Sequence, residues 1–220
     1  MDFNFDLNLI NSRKILPTPQ LKQALEILKM TSQELFEYVE EELEKNPFLE
    51  VLDRMNTDTE GEELKNFEKI ELDENVDNGN RLKYIIPDII VQESMGKFKV
   101  LVNDDSIPLI GINEKYKGIN TFNLGGEAKK LMQGKLDRAV WLIECMHQRR
   151  KTLKKVARAI VSRQMGFFKN GKSYIEPITM KEIAQDTGMH ESTVCRTVSG
   201  KHLQCSWGII EMRGFFKYME

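Results

Sequence analysis

Only three cysteines occur among the 220 residues, and their scarcity closes off whole classes of protein. Cys145, Cys195 and Cys205 are odd in number and widely spaced, so a disulfide-stapled scaffold is excluded. The pairs Cys145/His147, His190/Cys195 and His202/Cys205 lack the Cys-x-x-Cys spacing of a zinc site, and no metal or cofactor is expected. No apolar run approaches the roughly 20 residues that cross a bilayer. The opening Met1-Asp-Phe-Asn-Phe-Asp6 has neither the basic nor the apolar region of a secretory signal, so a cytoplasmic, reduced protein is expected. A phosphate-cradling loop is missing too, because Gly125-Gly126 followed by Lys129-Lys130 has the wrong spacing. Acidic residues abound, yet nothing marks a catalytic pair among them, and an enzyme acting by itself is not expected.

What is present is a strong charge polarity. Residues 1–80 carry 8 Lys/Arg against 20 Asp/Glu, whereas residues 81–220 carry 24 against 14, so the net of −2 conceals two opposite halves. Within 129–172 there are 13 bases and only two acids, Asp137 and Glu144. Such a run can be a solvated helix face. It also suits contact with phosphates, where each neutralised charge releases counterions.

With 40% hydrophobic residues the chain can support one or two modest domains. The periodicities predict a mainly α fold in four parts. Residues 1–50 form a two-helix arm: Thr18 can cap the first helix with Pro19 at its opening position, and Leu21, Ala24, Leu25 and Leu28 make an apolar stripe. Thr31-Ser-Gln-Glu34 is a capping-box pattern opening the second helix, with Leu35, Val39 and Leu43 at helical spacing, and Asn46-Pro47 ends it. Two short helices bury little alone, so the stripe is expected to meet a partner and to order on binding. Residues 51–80 are acidic, with Phe67 the only aromatic, and read as a disordered spacer. Residues 81–126 are expected to hold a β-hairpin, Tyr84 to Val91 and Phe98 to Val102, with its turn over Glu93 to Lys97, followed by loop and short turns from 103.

Residues 127–220 form the largest part. A long helical stretch from about Glu127 to Gln164 is expected to bury Leu131, Leu136, Val140, Ile143, Leu153, Val156, Ile160 and Val161. Thr152 is expected to cap a second helix after the basic corner Gln148-Arg-Arg-Lys151. Then Met180 to Ser199 reads as a helix-turn-helix. Ile183 and Ala184 close its first helix, Gly188 supplies the positive φ of the turn, and Met189, Val194 and Val198 return to the core. His190, Glu191, Ser192, Cys195, Arg196 and Ser199 are left outward, where base edges would lie, with Thr193 in the same helix. Arg196 is the natural reader of guanine, because its planar fork meets O6 and N7 together. Lys154 and Lys155 are candidate phosphate contacts. A plain helical hairpin in a core remains the alternative, since Ala-x-x-x-Gly spacings are common. The aromatics Trp207, Phe215, Phe216 and Tyr218 are expected to cover the motif's core.

Two separated blocks resemble the sigma-54 class of bacterial RNA polymerase sigma factors. The first is Pro17-Thr-Pro-Gln-Leu-Lys-Gln-Ala-Leu-Glu-Ile-Leu28 through Glu41-Glu-Leu-Glu-Lys-Asn-Pro-Phe-Leu-Glu50, which is similar to the family's N-terminal activator-interacting region. The second runs from Ile86-Pro-Asp-Ile-Ile-Val91 to about Tyr218, through Trp141-Leu-Ile, Gln148-Arg-Arg-Lys-Thr-Leu153, Ala159-Ile-Val-Ser-Arg-Gln164 and Phe167-Phe168. Its signature is Gly188-Met-His-Glu-Ser-Thr-Val194 followed by Arg196, with Cys195 where serine is more usual.

The resemblance implies a subunit of DNA-directed RNA polymerase that is not itself catalytic. Such a factor joins core polymerase, places it on promoters with an upstream GG and a downstream GC element, and holds a closed complex. An activator of the ATP-driven AAA+ class then remodels the N-terminal region. Arg196 would read the downstream element with Ser192 beside it. Pro17, Leu21, Leu25, Leu28, Leu35 and Phe48 would serve the activator, and their segment would lie over the helix-turn-helix until the activator acts. Family members ordinarily carry a large helical core-binding domain where this chain has only 51–80. The C-terminal box that reads the upstream element is also expected to be missing by Glu220. A truncated factor is therefore expected, or a DNA- or activator-binding remnant or competitor without sigma activity. No dimer seam is visible, which argues for a monomer over an ordinary repressor on a palindromic site.

Overall fold

The computed structural model describes residues 19–52, 85–94, 96–113, 115 and 126–216. Pro17, Thr18, Tyr84, Tyr218 and nearly all of the acidic 51–80 stretch lie outside the described residues. The arm consists of α1 (Pro19–Lys29) and α2 (Ser32–Lys45), followed by the short strand β1 (Leu49–Val51). Thr31 opens α2 as its residue pattern requires. Its hydroxyl accepts from Glu34 N at 3.2 Å, while the Glu34 carboxylate accepts from Thr31 N at 2.7 Å. At the other end Asn46 caps the helix; its buried amide donates to Lys135 O at 2.8 Å, and its Oδ1 accepts from Phe48 N.

The hairpin forms from β2 (Ile89–Ser94) and β3 (Lys97–Val102), antiparallel with Ser94 opposite Lys97, and Gly96 takes φ 73° in the turn. Both its first strand and its turn differ from the expected bounds. Ile85 and Ile86 stay exposed outside any strand, because Pro87 has no N–H to give a ladder and β2 can start only beyond it. The strand then continues to Ser94, so the turn is two residues long. The 103–126 stretch, expected to be loop, holds β4 (Ile110–Ile112), which pairs antiparallel with β1, Leu49 opposite Ile112. Its partner lies some sixty residues away in sequence, so no local pattern announces it.

A single helix α3 (Gly126–Arg163, 38 residues) runs through the molecule, about 57 Å long at 1.5 Å per residue. The second helix expected to start at Thr152 does not exist. Gln148 to Lys151 are good helix formers with no Gly or Pro among them, so nothing breaks the ladder, and Thr152 sits buried in mid-helix. The buried stripe also departs from the expected one. Leu153, Val156, Ile160 and Val161 are buried, but Leu131 is 66% and Val140 43% exposed, while Ala139 and Leu142 are fully buried in the helix's first half. The cause is a change of neighbour along the helix. Its first half is covered by Ile27, Leu35, Val39 and Phe48 of the arm together with Ile107 and Ile110 at β4. Its second half packs against the sheet and the helices beyond, with Ile89, Val100, Phe167, Val194, Leu203 and Phe215. One helix serving two cores cannot keep one stripe.

After α3 come α4 (Met165–Asn170), α5 (Met180–Thr187), α6 (Glu191–Val198), β5 (His202–Cys205) and β6 (Gly208–Glu211). The larger sheet has the order β3-β2-β5-β6, with β5 parallel to β2 and the other pairs antiparallel. Among the aromatics expected over this core, Phe215 and Phe216 are buried, whereas Trp207 stays 42% exposed and donates from Nε1 to Phe168 O at 3.0 Å. No helix among the described residues is long and apolar enough to cross a membrane, and no cluster of His, Cys, Asp or Glu among them could hold a metal.

Candidate nucleic-acid interface

The two helices α5 and α6 meet through Gly188, whose φ of 64° is the left-handed conformation the turn requires. Its N–H donates to Gln185 O at 3.2 Å, closing α5. Ile183, Ala184, Val194 and Val198 are buried as expected, and Met189 packs against the same core half-buried. Thr187 and Thr197 are also buried, each hydroxyl donating to a carbonyl one turn back, Ile183 O at 2.6 Å and Thr193 O at 2.8 Å. A second capping box opens α5: Thr179 Oγ1 accepts from Glu182 N, and the Glu182 carboxylate accepts from Thr179 N at 2.7 Å. Arg163, at the end of α3, fixes α5 from outside. Its fork engages both carboxylate oxygens of Asp186 and approaches Glu182 at 3.5 Å.

This frame leaves His190, Glu191 and Cys195 exposed, with Ser192, Thr193, Arg196 and Ser199 half-buried. His190 is more than an outward side chain. It is the N-cap of α6, its Nδ1 accepting from Ser192 N at 3.2 Å and lying 2.8 Å from Ser192 Oγ. Arg196 lies back along its helix and donates from Nη1 to Ser192 O at 3.3 Å. Thus Ser192 at the start of α6 is held by the His190 cap on one side and by Arg196 on the other. Lys155 is exposed on α3, and Lys154 beside it is half-buried.

The basic corner contains the residue that sequence reasoning missed. Arg149 is 5% exposed and turned inward; Nη1 donates to Ile27 O, Leu28 O and Met30 O at 2.9, 3.1 and 2.8 Å. Lys201, just after α6, is 1% exposed; Nζ donates to Met30 O at 2.5 Å and Lys29 O at 3.2 Å, and reaches Ser199 O at 3.5 Å. Two cations therefore occupy the C-terminal end of α1, where the last carbonyls lack helical partners and the helix dipole is negative. Burial lowers the Arg149 pKa, and Asp88, Asp104 and Glu34 oppose that shift. Burial pushes Lys201 down to about 8, and the neighbouring Arg149 pushes the same way. A third tie joins the arm to the sheet: Ser32 Oγ donates to Asp88 Oδ1 at 2.7 Å, while Asp88 Oδ2 accepts from His202 N at 2.9 Å. Gly200 takes φ 63°, the left-handed conformation that turns the chain from α6 to Lys201. No local sequence signal separates Arg149 from its neighbours Arg150 and Lys151. Only the covering helix does.

The arm's apolar residues are used in this arrangement. Leu28, Leu35 and Phe48 are buried, and Leu21 and Leu25 half-buried. The stripe thus packs within the same chain, against α3 and beside α6, which supply the area two helices lack.

Comparison with known proteins divides the chain along the same lines. Residues 12–51 match the family model of the Sigma-54 factor activator interacting domain, and residues 129–219 that of the Sigma-54 DNA binding domain. The RNA polymerase sigma-54 factor of Salmonella typhimurium is 37% identical over 134 residues, and that of Escherichia coli 38% over 135. Each alignment covers 61% of this chain and 28% of the relative, so the chain matches little more than a quarter of their length. A crystal structure of Aquifex aeolicus sigmaN bound to promoter DNA is 28% identical over 64% of this chain and 42% of that one, with a TM-score of 0.47.

Proposed function

Because the chain belongs to the sigma-54 family, we propose that it is a promoter-reading initiation factor whose DNA-binding domain is held by its own N-terminal arm until an ATP-driven activator lifts it. The observation that carries this reading is the clasp of Arg149 and Lys201 on the last carbonyls of α1. Lys201 follows the recognition helix by three residues, so whatever moves the arm acts directly beside α6.

In this reading Arg196 and Ser192 address base edges of the downstream element. His190, Glu191, Thr193 and Ser199 border them, and Lys154 and Lys155 contact phosphates. Leu21, Leu25, Leu28, Leu35 and Phe48, with Pro17 before them, are the surface an activator takes over once the arm leaves α3. Core polymerase is the further partner. The test is binding of the full chain to a duplex carrying the downstream GC element and to one with that element replaced, each with and without activator and ATP. Preference for the element, changed by activator only when ATP is hydrolysed, is expected; equal binding to both duplexes would refute the reading.

A second reading is favoured by the brevity of the stretch between β1 and β2, from Leu52 to Asp88, where the resemblance implies a large polymerase-binding domain. The chain would then occupy promoter DNA or activator without sigma activity. Association with purified core polymerase separates the two: none, beside retained promoter binding, selects the second.

A further inference from the structure

The clasp holds only one end of the arm, and a chemically different contact lies about 16 Å along α3, eleven residues earlier at 1.5 Å each. Arg138 donates from Nη2 to Glu42 Oε1 at 2.7 Å and from Nε to Glu42 Oε2 at 3.2 Å. It also donates from Nη1 to Gln23 Oε1 and from Nη2 to Tyr38 Oη, both at 2.7 Å. Its guanidinium stacks 4.5 Å from the Trp141 ring centroid. One side chain thus gathers α1 (Gln23), α2 (Tyr38, Glu42) and α3, with a forked geometry that lysine cannot reproduce.

We propose that Arg138 is a second, ionic latch that holds the arm to α3 independently of the Arg149–Lys201 clasp. The two grips differ in kind. Arg149 and Lys201 are buried and donate to backbone carbonyls, whereas the Arg138 and Glu42 side chains keep 29% and 15% of their surface in contact with solvent. Salt therefore weakens the Arg138 latch and hardly reaches the clasp. The hydrogen bond from Arg138 keeps the Glu42 carboxyl below its ordinary pKa, and burial holds the Tyr38 hydroxyl up at about 12, so both partners keep their charge state across the neutral range. The latch also bridges the two helices of the arm. Breaking it loosens α1, α2 and α3 from one another at this end of the arm, while the clasp still holds the C-terminal end of α1.

The latch depends on the reading of the arm as a cover only for its consequence on DNA binding. The test is native-state hydrogen exchange of the full chain at low and high salt, for wild type, E42Q, R138K and the charge swap R138E with E42R. E42Q keeps shape and removes the charge, so folding is not at stake. Exchange of α1 and α2 amides is expected to rise about tenfold in E42Q and R138K, with α5 and α6 unchanged, and to return towards wild type in the swap. Raising the salt should speed arm exchange in wild type and have less effect in E42Q. Unchanged arm protection in both single variants would overturn the proposal, as would an equal rise in exchange across α5 and α6. A loosened arm with no gain in DNA affinity would uphold the latch and refute the cover.

Discussion

Replacing Arg149 by Met is the most direct probe of the clasp, because the side-chain length stays and the donors go. Nη1 serves three carbonyls within 3.1 Å, which amounts to about two charge-assisted hydrogen bonds shared three ways. Their loss exceeds what is regained by no longer burying a guanidinium, and a net cost of about 2–4 kcal/mol falls on arm docking. At 1.4 kcal/mol per decade, the open population rises roughly 30- to 700-fold. Limited trypsin digestion reads this directly. The bond after Lys29 has its carbonyl held by Lys201, so it can enter a protease only when the clasp is open. When reclosing outpaces cleavage, the rate of that cut follows the open population. Cleavage after Lys169, exposed in α4 away from the arm, is the internal control. A selective rise at Lys29 is expected. No rise there, or an equal rise at Lys169, would show that Arg149 does not hold the arm.

Three further outcomes follow from the same geometry. Arg196→Ala should lose about 1–3 kcal/mol on the cognate duplex and relax discrimination at one base pair, measured by competition titration; equal loss on every sequence would reduce Arg196 to a phosphate contact. Substituting Lys154 and Lys155 by Gln should weaken all DNA alike and flatten the salt dependence by about one unit for each phosphate no longer neutralised, and an unchanged slope would take them off the DNA path. Lys201 has its folded pKa lowered to about 8, so the folded state binds fewer protons than the unfolded state between about 8 and the ordinary lysine value of 10.5. Wild-type stability relative to Lys201→Met should therefore improve as pH rises through that window, measured by urea unfolding at pH 7.5 and 9.5; a constant difference would mean the carbonyls hold Lys201 charged throughout.

The sequence by itself determined the elements whose causes are local. The box Thr31 to Glu34, the stop at Asn46-Pro47, the left-handed Gly188 and the buried Val194 and Val198 depend on neighbours within about four residues, and each is found as the residues imply. The exposure of His190, Glu191 and Cys195 followed from the same spacing, though not the half-burial of Ser192, Thr193, Arg196 and Ser199 or the use of His190 as a cap.

What only the tertiary structure decided involves partners far away in the chain. β4 exists because β1 meets it, and Thr152 is buried in mid-helix because the two halves of α3 pack on different neighbours. The inward turn of Arg149 and the burial of Lys201 exist because a helix more than a hundred residues earlier ends against them with its carbonyls open. A charge run looks the same in sequence whether it faces solvent, phosphate or a helix terminus. Desolvation and dipole fix which of these it meets, and both are properties of the packed molecule.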